Sequence, residues 1–311
     1  MTEIPVLDLA GFTDGDETAF AAQLGKVCRE TGFFVLKNHG VSSALIDGAF
    51  AAAHHFFALT QAAKDDLSIT LSPHNRGYAK LGSESLDEQS GVTDQKEAFN
   101  IGLDLSADDP RVLAEEPFRG VNVWPELEGF RDTGLAYFEA AWALGRKLHE
   151  AIALSLDLPR SYFEHHLDAP MATLRYLRYP RASGNEGEIG AGAHTDYGSV
   201  TLLQTDGVSG LQVKPRDEDW IDVPHIEGAF IVNIGDCLMR WTNDVYVSTP
   251  HRVLPPAKER YSIAFFLDPN PQSVIEKLPT IDGAAKYQPI TGADYLMQRL
   301  TATYQSDGSS P

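Results

Sequence analysis

The chain has 311 residues, 43 % of them hydrophobic and 22 % charged. That composition is globular, supports a sizeable core in one large or two intimate domains, and argues against disorder as the main state. Its 25 Lys plus Arg against 44 Asp plus Glu leave a net charge of −19, a surface that repels phosphate backbones and anionic bilayers, so neither a nucleic-acid nor a membrane partner is expected. The two cysteines, Cys28 and Cys237, cannot build a disulfide framework or a cysteine zinc site and read as core residues in a reducing compartment. With no basic-then-apolar leader at the N-terminus and no apolar run of spanning length, a cytoplasmic protein is expected.

Ile4 to Leu9 alternates as a strand does. Asp16 to Glu30 is helical, with Phe20, Leu24 and Val27 on one side. Gly32 to Leu36 is a buried-strand run ending at the turn cluster Asn38-His39-Gly40. Ser42 or Ser43 can cap a helix running through Ile46, Phe50 and His54 to Leu59. Residues 72–95, with Gly77, Gly82 and Gly91, read as loop. The strongest helix spans 126–156, where Leu135, Phe138, Trp142, Gly145, His149 and Ile152 form one seam, and it reads as a strut between two halves. After residue 170 the texture changes. Short β-rich runs at 172–179, 199–205, 210–214, 219–223, 229–234 and 259–267 are broken by Gly, Asp, Asn and Pro turns, which suggests an antiparallel sandwich or jelly roll. A last helix is expected over 291–304.

His194-Thr195-Asp196 is an H-x-D pair among glycines. On an extended segment residues two apart share a face, so an imidazole and a carboxylate can reach one cation together. A second H-x-D, His166-Leu167-Asp168, follows a short helical stretch; there the two side chains diverge, and the pair reads as a helix end. Company distinguishes the first pair. His251 lies 55 residues beyond Asp196, in Pro250-His251-Arg252-Val253. Two histidines and a carboxylate are the facial triad of non-haem Fe(II) oxygenases, which leaves coordination positions open. In the strand 259–267, Arg260, Ser262, Ala264 and Phe266 share one face and Tyr261, Ile263 and Phe265 the other. A charged arginine facing inward is costly unless it meets an anion, and its fork of donors suits a carboxylate.

H-T-D, the distant P-H-R-V and R-Y-S resemble the isopenicillin N synthase-like branch of Fe(II)/2-oxoglutarate-dependent oxygenases. The resemblance continues in Ile4-Pro5-Val6-Leu7-Asp8-Leu9, Gly32-Phe33-Phe34-Val35, Asn38-His39-Gly40-Val41, Lys96-Glu97-Ala98-Phe99, Asn122-Val123-Trp124-Pro125, Gly228 to Asp236 and Trp241-Thr242-Asn243-Asp244, in order from residue 4 to about 268.

The resemblance implies a mainly β fold with helices (α+β), a double-stranded β-helix (jelly roll) core flanked by N-terminal and central helices. The division it suggests is 1–120, an N-terminal helix and strand region; 121–168, the helical strut; 169–270, the dioxygenase core; and 271–311, a C-terminal extension and helix, all in one compact unit. It implies Fe(II) held by His194, Asp196 and His251. It implies 2-oxoglutarate as cosubstrate, its 2-oxo acid end on iron beside O₂ and its distal carboxylate on Arg260 and Ser262, with Tyr179 in the same pocket. Decarboxylation would release succinate and CO₂ and oxidise a C–H bond of a small molecule. Hydroxylation, desaturation and ring formation stay open. Leu177-Arg178-Tyr179-Pro180 departs from the plant pattern Asn-Tyr-Tyr-Pro and also resembles the penam-forming synthase, which takes no 2-oxoglutarate. Ethylene-forming fragmentation of 2-oxoglutarate with arginine oxidation is a further alternative, and a non-enzymatic sensor would have been signalled by a lost ligand or a lost Arg260. By the same analogy the substrate enters beneath the 76–99 segment and the C-terminal helix. Glu84 there is the carboxylate expected to meet an amine or guanidino group, with Tyr197 as a second wall residue.

Overall fold

The computed structural model describes residues 3–87, 91–216 and 218–305. Its strands, in chain order, are β1 (Val6–Asp8), β2 (Phe33–Lys37), β3 (Gly77–Ala79), β4 (Glu97–Gly102), β5 (Thr173–Tyr179), β6 (Ala191–His194), β7 (Val200–Thr205), β8 (Leu211–Val213), β9 (Ile221–Asp222), β10 (Phe230–Ile234), β11 (His251–Val253), β12 (Arg260–Leu267), β13 (Val274–Ile275) and β14 (Ile290–Thr291). Eight of them form one sheet in the order β1-β2-β10-β7-β12-β5-β4-β3, and four form a second, β6-β11-β8-β9. The N-terminal region therefore extends the same sheet that carries the later strands.

Strand alternation assigns the two faces of the large sheet. Phe34, Leu36, Ile101, Leu174, Tyr176, Leu202, Val232, Ile263 and Phe265 point into one core, shared with the helices Glu17–Glu30, Ser43–Phe57 and Phe130–Ser155. Phe33, Val35, Ala98, Leu177, Ile231 and Ala264, one residue out of phase, point the other way and pack with Ala191, Leu211, Val213 and Val253 of the small sheet. This is a sandwich with its site between the sheets and its helices outside the larger one.

The long helix starts at Phe130 rather than 126, because Gly129 sits at φ 72° and the Phe130 N–H bonds back to Leu127 in a turn. It packs against the Glu17–Glu30 and Ser43–Phe57 helices and, beside them, on the large sheet at β12 and β7. Within the supposed loop 72–95, Gly77–Ala79 is a strand, because β4 offers it an edge in the register Gly77↔Asn100 to Ala79↔Ala98. No helix among the described residues is long and apolar enough to cross a membrane. Cys28 and Cys237 are both free and buried.

Candidate metal and cosubstrate site

β6 and β11 pair antiparallel with His251 directly opposite His194, so the ring centroids lie 4.3 Å apart. Asp196, two residues past His194, turns its Oδ1 toward both rings, 3.8 Å from His194 Nε2 and 3.6 Å from His251 Nε2. All three donor atoms lie within 4.8 Å of one another. Oδ2 is held from behind, accepting from Thr201 Oγ1 on β7 at 2.6 Å and from Asn233 Nδ2 on β10 at 2.7 Å. Each histidine is oriented through Nδ1, against the Gly192 carbonyl at 2.7 Å and the Thr249 carbonyl at 3.2 Å. With Nδ1–H donating, both Nε2 lone pairs face the carboxylate.

Burial, and next the neighbouring His251, push His194 down to about 3, so its imidazole is neutral at physiological pH. Asp196 is held below its ordinary value although burial opposes this, because the two imidazoles and the Asn233 and Thr201 donors favour the anion. Two imidazole nitrogens and one carboxylate oxygen, converging and braced, fit a divalent transition metal that keeps other positions open. The decoy pair is elsewhere. His166 closes the short helix Glu164–His166 and packs on Trp241, while Asp168 accepts from Asn270.

From the triad a cavity of about 210 Å³ runs between the sheets. The side chains of β12 that share the predicted face, Arg260, Ser262, Ala264 and Phe266, all line it. Arg260 is 1 % exposed; its Nε donates to the Val208 carbonyl at 3.2 Å and its Nη1 lies 3.4 Å from Ser262 Oγ. Tyr179, its register partner on β5, stacks its ring 4.8 Å from the guanidinium. Among the described residues no carboxylate pairs with Arg260. A buried guanidinium facing a cavity without a protein anion is built for an anionic ligand.

Glu84 lines the cavity too, but its charge is already engaged. Both its oxygens lie 2.6 Å from Arg175 Nη2, and Lys96 Nζ is 3.1 Å away. Burial opposes its ionisation, yet these two cations hold it down to about 2. The expectation that Glu84 awaits a cationic substrate is therefore corrected: Arg175 and Lys96 supply that charge. Lys96 also pairs with buried Asp94, whose Oδ1 accepts from the Gly192 N–H at 2.8 Å. Tyr197 lines the cavity with its ring 4.6 Å from the Arg299 guanidinium, and Leu296 and Leu300 of the C-terminal helix Gly292–Gln305 line it too. Sequence reading missed Thr201, Asp94 and Arg175. The available signal was a polar residue on the inward phase of an otherwise apolar strand, as with Thr201 in Val-Thr-Leu-Leu.

A jelly-roll sandwich holding a His-Asp-His site beside a buried, anion-seeking arginine defines a non-haem metal oxygenase. Residues 169–269 match the 2OG-Fe(II) oxygenase superfamily, and residues 4–127 match the non-haem dioxygenase in morphine synthesis N-terminal family. The 2-oxoglutarate-Fe(II) type oxidoreductase hxnY of Emericella nidulans is 37 % identical over 318 residues, covering 97 % of this chain and 91 % of its own. A full-length Neurospora crassa protein crystallised with α-ketoglutarate (2-oxoglutarate) superposes with a TM-score of 0.87 at 35 % identity, over 97 % of this chain and 96 % of the other. The same protein with thymine bound matches at 0.86 and 34 % identity, over 97 % of both chains. The chain belongs to the Fe(II)/2-oxoglutarate-dependent oxygenases. It is an oxidoreductase whose cofactors are Fe(II), 2-oxoglutarate and O₂.

Proposed function

We propose that the protein oxidises a small, uncharged ring compound with release of succinate and CO₂, with His194, Asp196 and His251 as the iron ligands and Arg260, Ser262 and Tyr179 as the cosubstrate seat. The observation that carries the reading is the disposition of β12. Its inward face begins with an unpaired buried guanidinium and continues along the cavity that the triad opens into.

Iron bound at the triad supplies the chemistry by which O₂ splits 2-oxoglutarate into succinate and CO₂ and oxidises a C–H bond of the substrate. The chain's own work is geometric. Thr201 and Asn233 fix Asp196 so that one oxygen faces the metal position. Arg260 receives the distal carboxylate with a planar fork, Ser262 adds a donor, and Tyr179 sets the guanidinium plane. Leu177, Leu203, Leu211 and Val253 give the cavity apolar walls, which disfavour water beside the reacting groups.

Three observations support an uncharged ring. Glu84 is neutralised by two cations. Tyr197 and Phe266 give the cavity aromatic walls. The Neurospora crassa relative is described with thymine bound. An anaerobic titration with Fe(II) and then 2-oxoglutarate should produce a weak visible charge-transfer band. A screen of small molecules for O₂-dependent succinate release should then find ring compounds ahead of amines. Absence of the band with metal bound would overturn the cosubstrate assignment.

A further inference from the structure

Asp268 is a carboxyl in the cavity wall that the oxygenase chemistry described above does not use. It follows the last residue of β12, on the same phase as Arg260, Ser262, Ala264 and Phe266, and it lines the same cavity. Eight residues of nearly extended chain put it roughly 25 Å of path from Arg260, so it stands at the end of the cavity opposite the cosubstrate seat. It is 7 % exposed. Among the described residues no hydrogen bond or ion pair reaches its side chain. The glycine of Asp196-Tyr197-Gly198 leaves room for it: a Cβ on Gly198 would stand 3.1 Å from Asp268 Oδ1. A buried carboxyl without a partner costs stability unless something in the cavity completes it.

We propose that Asp268 is the substrate-recognising group of this pocket and takes the –C(=O)–NH– edge of a small lactam or cyclic imide, accepting from its N–H and donating to its carbonyl. The proposal rests on the reading of the cavity as the seat of an uncharged ring, and names the edge by which that ring is held. The charges around the cavity disfavour an ammonium or guanidinium instead. Glu84 is balanced by Arg175 and Lys96, Asp196 faces the metal position, Arg260 is met by the cosubstrate's carboxylate, and Arg76 has no carboxylate partner among the described residues. Arg76 donates to the carbonyls of His74, Asn75 and Phe118. Burial without a partner favours the neutral acid and pushes Asp268 up from the ordinary carboxylate range. A carboxylic acid offers one donor and one acceptor side by side, the complement of a lactam edge. The aromatic walls Tyr197 and Phe266 suit a flat ring.

The test is calorimetric binding to the full chain loaded with Mn(II) and 2-oxoglutarate, so that no turnover occurs. The probes are 2-pyridone, uracil and thymine, with 1-methyl-2-pyridone, benzoate and benzylamine as controls. At least one lactam or imide should bind, and blocking the N–H in 1-methyl-2-pyridone should abolish the binding of its parent if that parent binds. Asp268→Asn keeps one donor and one acceptor and should hold affinity within about three-fold, whereas Asp268→Leu should lose about ten-fold or more. Cosubstrate affinity should be equal in all three proteins. Binding of none of the lactams, equal binding by Asp268→Leu, or binding of benzylamine that Asp268→Asn destroys would each overturn the proposal. Failure of 2-oxoglutarate to bind wild type would instead overturn the reading of the site on which it rests. The methylated ligand needs no variant, so the test stands even if Asp268→Leu does not fold.

Discussion

The Asn233 amide donates to Asp196 Oδ2 at 2.7 Å, on the side of the carboxylate away from both histidines. One oxygen is thereby fixed and the other is left for a metal. His194→Ala, Asp196→Ala and His251→Ala should each sharply lower Fe(II) affinity with the fold kept, as read by anaerobic metal titration and circular dichroism. His166→Ala should not. Asn233→Ala should cost about ten-fold in metal affinity, the usual scale for a residue that orients a ligand. Equal iron binding by the His194 and His166 variants would sink the triad assignment.

Arg260 is a permanent, buried cation in the cavity wall. Arg260→Gln keeps the length and some donors but removes the charge, and losing one charge-assisted pair costs about 1.5–3 kcal/mol. Anaerobic titration of the charge-transfer band should show 2-oxoglutarate binding weakened by about ten- to a hundred-fold with Fe(II) affinity unchanged. An unaltered cosubstrate affinity would leave the arginine a structural role only.

Glu84 is tied to β5 through Arg175 and to Lys96, the residue before β4. Glu84→Gln leaves two cations short of one anion, and breaking a largely buried pair costs about 3 kcal/mol. Calorimetry should show a lower melting temperature, while the ranking of neutral over cationic ring compounds should stay as in wild type. The wild-type contribution of Glu84 is present above its ordinary value near 4.5 and is lost as pH falls toward about 2. A selective rise in KM for amines would restore the cationic-substrate idea at this residue.

Much of the fold was legible because alternation is a local signal. The inward phase of β12 could be read directly, and each of Arg260, Ser262, Ala264 and Phe266 lines the cavity. The register that sets His251 opposite His194 is a pairing between strands 57 residues apart in sequence, and in advance only the chemistry of the donor set and the family resemblance linked them. β3 was missed because its strand character comes from the neighbour β4, and the long helix was started too early because the turn at Gly129 is not written in the apolar periodicity. Glu84 was misread for a related reason. A carboxylate's meaning depends on which cations the tertiary fold brings to it, and Arg175 lies 91 residues away.

His149 gives the protein a stability switch in mild acid. It is 1 % exposed on the long helix; Nδ1 lies 2.7 Å from the Gly145 carbonyl and Nε2 2.7 Å from Ser199 Oγ, three residues past Asp196. With Nδ1–H donating to Gly145, Nε2 accepts the serine proton, and both bonds are made by the neutral ring. Burial pushes its pKa down to about 4, against a small opposing contribution from the Gly145 hydrogen bond. The unfolded chain binds a proton below about 6.5 and the folded chain does not until about 4, so stability rises with pH across that interval. The contribution is full above about pH 6.5, declines as pH falls, and levels off below about 4, with a total of ~3 kcal/mol. Urea unfolding of the apoprotein at several pH values should show this slope, and metal-free conditions keep release of a bound ion from adding to it. His149→Gln keeps a neutral donor and acceptor without a titrating ring, so its stability should depend less on pH between 4 and 6.5. An equal slope in wild type and variant would place the acid sensitivity elsewhere.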